Sequence, residues 1–89
     1  MSPQLTLIGK PGCHLCDDAR DIIHRVIAEN PAQDVVVTEV SILDDAELRE
    51  RYAEEIPVVL IDGAVHTIWR VDPARLRRAL QESPPRPRV

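Results

Sequence analysis

The chain has no phenylalanine, one tryptophan and one tyrosine among its 89 residues. A core of stacked rings is excluded, so the packing must come from aliphatic side chains within the 44% apolar fraction. A chain of this length buries only roughly 60–65% of its unfolded surface, which leaves room for one small core and one domain. Lysine occurs once, as Lys10, and the ten arginines are scattered among fifteen acids, for a net charge of −4. Without a basic stripe or stacking aromatics, nucleic-acid binding is not expected. No apolar run approaches the ~20 residues of a membrane span, and the first residues lack the basic and apolar regions of a secretory leader. No membrane is therefore expected as a partner, and the expected compartment is the reducing cytoplasm.

Cysteine is as scarce as the aromatics, with two residues, and both fall in Cys13-His14-Leu15-Cys16. A bridge between them would close a very short loop and stabilise little. In a reducing compartment such a pair is catalytic or metal-binding rather than a staple.

The surrounding pattern positions the pair. Residues 4–8 alternate as a strand, and Gly9-Lys10-Pro11-Gly12 then leads into a helix whose Ala19, Ile22, Ile23, Val26 and Ile27 form one apolar stripe. That helix ends near Asn30-Pro31. A β-branched second strand follows over 35–42, parallel to the first because a helix intervenes. Asp44 and Glu47 suggest a capping box for a charged helix over 44–54. Pro57 opens a third strand through Ile61, Asp62-Gly63 makes a two-residue hairpin turn, and a fourth strand covers 64–69. Asp72 as N-cap, Pro73 at the first helical position and Val71 stapled to Leu76 start a last helix ending near 81–83. The expectation is an α/β domain over 1–83, in the order βαβαββα, with a four-stranded mixed sheet flanked by helices. Residues 84–89, rich in Pro and Arg, form an extended tail.

A C-x-x-C beside a βαβ pattern is the sequence form of a thioredoxin-like redox site. Positions i and i+3 share one face of a helical turn, within the ~4.4–6.8 Å Cα span that a disulfide needs. Free N–H groups and the helix dipole favour an anion at the first position. Cys13 is thus the expected nucleophile and Cys16 the resolving thiol, with no metal or organic cofactor built in. The rival reading is a non-catalytic module whose cysteines bind zinc or a glutathione-assisted iron–sulfur cluster. Structural zinc needs four suitably spaced ligands, which His14, His24 and His66 do not complete, so no metal site is expected.

These residues resemble the glutaredoxin branch of the thioredoxin superfamily, most closely its small bacterial glutaredoxin-like proteins, over residues 4–81. The resemblance implies a thioredoxin fold and thiol–disulfide oxidoreductase activity. Its implied partners are disulfide-containing proteins, with glutathione as a co-substrate and either glutathione or thioredoxin reductase as electron donor; a monomer is expected. It gives Lys10, three residues before the first cysteine, the task of supporting the thiolate and a glutathione carboxylate. Glu55-Ile56-Pro57 is similar to the family's Thr-Val-Pro segment, which implies a cis Pro57 and a backbone contact from Ile56 to substrate. Asp72 stands where the family binds the γ-glutamyl end of glutathione, although its place as N-cap explains it fully.

The chain also departs from these patterns. Leu7 occupies the position of the buried carboxylate of thioredoxins, and Trp69-Arg70 replaces the Gly-Gly of glutaredoxins. Redoxins that serve ribonucleotide reductase and take electrons from thioredoxin reductase carry a Trp and an Arg near this place. His14-Leu15 replaces the common Pro-Tyr, and an imidazole next to Cys13 can stabilise its thiolate.

Overall fold

A computed structural model describes residues 3–31 and 33–82. The elements follow the expected order: β1 (Gln4–Gly9), α1 (His14–Glu29), β2 (Val36–Ser41), α2 (Ala46–Tyr52), β3 (Val58–Ile61), β4 (Ala64–Ile68) and α3 (Pro73–Glu82). The sheet order is β2-β1-β3-β4. The β1/β2 pair is parallel, whereas β1/β3 and β3/β4 are antiparallel. The expected tail, residues 84–89, lies outside the described residues.

Alternation along the strands sorts the apolar residues into two layers. Leu5, Leu7 and Val59 meet Ala19, Ile23 and Val26 of α1 and Leu76 and Leu80 of α3 on one face. Ile8, Ile42 and Val58 form the opposite layer, against which Leu48 and Tyr52 of α2 pack. Fully burying one such Leu, Ile or Val contributes about 1.5–3 kcal/mol, so the fold rests on these aliphatic layers, as the lack of aromatics requires. Val71 and Leu76 share the first layer, in keeping with the expected staple.

At the hairpin, Asp62 and Gly63 adopt φ values of 51° and 86°, the left-handed pair that a two-residue turn between twisted strands requires. The Asp62 carboxylate also accepts the Gln4 N–H at 3.0 Å.

Most strand limits fall within one residue of expectation, and the differences at α2 and at the end of β4 have identifiable reasons. The cap of α2 is Asp45, whose Oδ1 accepts from the N–H groups of Glu47 and Leu48. Asp44 is drawn instead into a turn, its N–H donating to Ser41 O at 3.1 Å. The helix is accordingly shorter than residues 44–54. The fourth strand stops at Ile68 because Trp69 takes a left-handed backbone, φ 68°.

Candidate active site

Gly9 ends β1 on the face that α1 covers. A Cβ at this position would lie 2.8 Å from Cys16 Sγ and 3.2 Å from Cys16 Cβ, so the first turn of the helix can rest on the strand end only because that atom is missing. Gly12, at φ 76°, turns the chain into the helix. Cys13 then adopts an extended backbone and becomes the N-cap of α1, its Sγ accepting the Cys16 N–H at 3.2 Å. Its carbonyl receives the Asp17 N–H at 3.0 Å. A sulfur thus fills the place usually taken by a Ser, Thr, Asp or Asn oxygen, answering one of the N–H groups that a helix start leaves unpaired.

The two thiols, both free, sit in different surroundings. Cys13 is partly exposed, whereas Cys16 is 1% exposed. Burial, reinforced by the side-chain hydrogen bond with Cys13 and by the negative charges of Cys13 and Asp17, pushes the Cys16 thiol up to about 11, against a smaller opposing effect of the Lys10 backbone. A buried thiol resists ionisation because the anion loses its hydration. The arrangement therefore pairs one reachable sulfur, already placed as an acceptor, with one that keeps its proton in reserve.

Pro57 borders the same place. The antiparallel pairing of β1 and β3 runs to Ile8–Val58, and one step further sets Pro57 against the Gly9 end of β1. The Ile56–Pro57 bond is cis, and Pro57 O accepts the Trp69 N–H at 2.8 Å. The Ile56 side chain packs into the α2-side layer, so its backbone, not its side chain, is what it can offer a substrate.

The remaining candidates scatter around this centre. Lys10 and His14 are exposed. Lys10 lines an open cleft of about 380 Å³ together with Leu7, Gly9, Arg20, Glu39 and Asp44. Asp72 caps α3, its Oδ1 accepting from the N–H groups of Ala74 at 3.0 Å and Arg75 at 3.5 Å. Leu7 is a buried core residue. His24 is exposed on α1. His66 is on β4, its Nε2 buried with no partner among the described residues; burial and then the charge of Arg75 lower its affinity for a proton. Among the described residues no three His, Cys, Asp or Glu side chains converge as a metal site. No helix of the described residues is long and apolar enough to cross a membrane.

Two features had no counterpart in the sequence reading. Arg20 bridges Asp17 at 2.8 Å and Glu39 at 2.6 Å, tying the start of α1 to β2. Trp69 donates its indole N–H to Glu54 O at 3.1 Å; with its backbone bond to Pro57, it holds both ends of the 54–57 segment. A left-handed tryptophan carries no sequence signal of its own, and the only clue was its place where glutaredoxins have glycine.

Comparison with known proteins gives a consistent picture. The Glutaredoxin-like domain (DUF836) matches residues 4–81. The uncharacterized protein Rv0508 of Mycobacterium tuberculosis is 31% identical over 84 residues, spanning 91% of this chain and 86% of the relative. The X-ray structure of protein XcR50 from X. campestris superposes with a TM-score of 0.68 at 34% identity, covering 90% of this chain and 99% of that one. Oxidized mitochondrial thioredoxin 3 from Saccharomyces cerevisiae shares the fold at a TM-score of 0.64 and 13% identity, covering 91% and 78% of the two chains.

Proposed function

This chain belongs to the glutaredoxin-like domain family, and on that premise we propose that it is a thiol–disulfide oxidoreductase that works through Cys13 and Cys16. The observation that carries the reading is the helix-capping sulfur. Cys13 Sγ is partly exposed, accepts the Cys16 N–H at 3.2 Å, and stands at the N-terminal end of α1, which the helix dipole makes positive.

In the forward half-reaction the Cys13 thiolate attacks one sulfur of a substrate disulfide. A new S–S bond joins Cys13 to the substrate, and the other substrate sulfur leaves as a thiolate that takes up a proton. Cys16 then gives up its proton and attacks Cys13 Sγ; the substrate's second thiol departs, and a Cys13–Cys16 disulfide remains. Two electrons pass to the substrate in this cycle, and an external dithiol, or two molecules of a monothiol such as glutathione, returns them. Lys10 supplies a positive charge beside the site, and His14 stands next to the attacking residue. Pro57 and the Ile56 backbone form the wall against which a substrate segment lies. Glutathione and thioredoxin reductase are the two donors proposed, acting in the cytoplasm on a monomeric protein, and Asp72 is proposed to touch glutathione only if its capping role leaves the carboxylate available.

The test is single-turnover exchange with a protein disulfide. Cys13→Ser should abolish exchange, and Cys16→Ser should accumulate a mixed disulfide with the substrate. Full dithiol turnover by Cys16→Ser, or stoichiometric zinc or iron with unreactive thiols in anaerobically purified protein, would overturn the reading. Reduction of the oxidised protein by glutathione, compared with reduction by thioredoxin reductase and NADPH, identifies the donor.

A further inference from the structure

The left-handed Trp69 backbone and the two hydrogen bonds that fix the residue leave its ring in a defined place, with 53% of the residue exposed. Trp69 lines a small cleft of about 130 Å³ together with Leu15, Asp18, Ala19 and Ile22 of α1 and with Arg70 and Val71. Leu15 stands between the two cysteines, and Trp69 is bonded to Pro57, so the cleft opens beside the exchange centre rather than at a remote face. Five of its lining residues, Leu15, Ala19, Ile22, Trp69 and Val71, are apolar, and Asp18 on the helix and Arg70 on the loop add one charge of each sign.

The volume decides what fits. Pockets that enclose a whole small molecule measure roughly 300–1,000 Å³, well above this cleft. At ~30 Å³ per water-sized body, it holds about four such bodies, the bulk of one branched aliphatic side chain. A tryptophan held in the left-handed region is strained, and such strain persists only where its surroundings impose it; here the bonds to Glu54 and Pro57 do so.

We propose that the Trp69–Leu15 cleft is a specificity site that receives an aliphatic side chain flanking the attacked cysteine of a protein disulfide, with Asp18 and Arg70 paired to polar or charged groups of the same substrate segment. The proposal rests on the oxidoreductase reading and adds the class of substrate: an extended protein segment with a leucine-like residue beside its cysteine, in preference to glutathione, which has no such side chain. An aliphatic group that fills a pocket of this kind discriminates by roughly 10–200-fold.

The experiment compares two oxidised homodimeric peptides, acetyl-Gly-Leu-Cys-Leu-Gly-amide and acetyl-Gly-Gly-Cys-Gly-Gly-amide, each reduced in a single turnover by the fully reduced protein. The leucine peptide should react at least about tenfold faster. Trp69→Gly, which suits the left-handed backbone, and Leu15→Ala, which leaves the Glu54 and Pro57 bonds in place, should each bring the rate ratio close to one. Equal rates in the wild type, or an unchanged ratio in both variants, overturn the cleft assignment alone. Failure to reduce either peptide overturns the oxidoreductase reading and the cleft with it.

Discussion

The N–H of Cys16 donates to the Sγ of Cys13 at 3.2 Å, so the residue proposed to release the substrate also holds the sulfur proposed to capture it. The bond follows from spacing: in the first turn of α1 the N–H of the third residue points back at the cap. One helical turn thereby holds the Cys13 sulfur and carries the second thiol.

The pH dependence of release follows from the Cys16 environment. The thiol is pushed up to about 11 in the reduced protein, so little of it is ionised near neutral pH, and the attacking thiolate fraction rises with pH. Once Cys13 is tied to substrate its contributions are removed, and burial, with the charge of Asp17, still holds the thiol above its ordinary value. Release of a thionitrobenzoate mixed disulfide, followed by stopped flow, should therefore accelerate steadily from pH 6 to 9. A rate independent of pH over that window would show that Cys16 is not the limiting ionisation.

Adding one methyl group at the strand end should disturb the helix start. Gly9→Ala would set a Cβ 2.8 Å from Cys16 Sγ, so α1 or β1 has to move. Overpacking of this kind costs about 1–3 kcal/mol. Urea unfolding of the reduced protein should show a loss in that range, and an unchanged midpoint would mean that the helix shifts freely.

Asp72 separates a capping role from a binding role by chemistry. Asn caps as well as Asp, whereas Ala removes the acceptor at a cost of about 1 kcal/mol. The expected outcome is that Asp72→Ala lowers stability, Asp72→Asn does not, and the rate of reduction by glutathione is the same in the Asn variant as in the wild type. A tenfold slower reduction with intact stability in Asp72→Asn would assign the carboxylate to glutathione.

His66 should make the fold acid-sensitive. Burial and Arg75 disfavour its protonated form in the native state, while in the unfolded chain it takes a proton near its ordinary ~6.5. Its contribution is therefore complete above that value and is lost as pH falls below it toward the native value. Between pH 7.5 and 5.0 the wild type should lose more stability in urea than His66→Leu; equal losses would remove His66 from the account.

Much of the fold was legible because its signals are local. Alternation in β1, the stripe of α1, the Asp62-Gly63 turn and the Asp72-Pro73 start each lie within a few residues of chain. The competition between Asp44 and Asp45 was not legible, since it is decided by a turn that bonds Asp44 back to Ser41. The paired cysteines announced themselves, and the cis bond at Pro57 was implied by resemblance. The contact of Gly9 with Cys16, the Arg20 bridge to Glu39 and the bonds of Trp69 to Glu54 and Pro57 join residues from different elements, and periodicity does not encode such meetings.

Trp69 has a spectroscopic consequence as well. It is the only indole in the chain, half in solvent, with its N–H committed to Glu54 O. Its emission therefore comes from a single place, without a second fluorophore of the kind to dilute it. A side chain entering the cleft would exclude water from the ring and shift that emission to the blue, and a change in the cysteine pair would alter quenching nearby. The residue that narrows the site also gives it an internal optical probe, readable without any label.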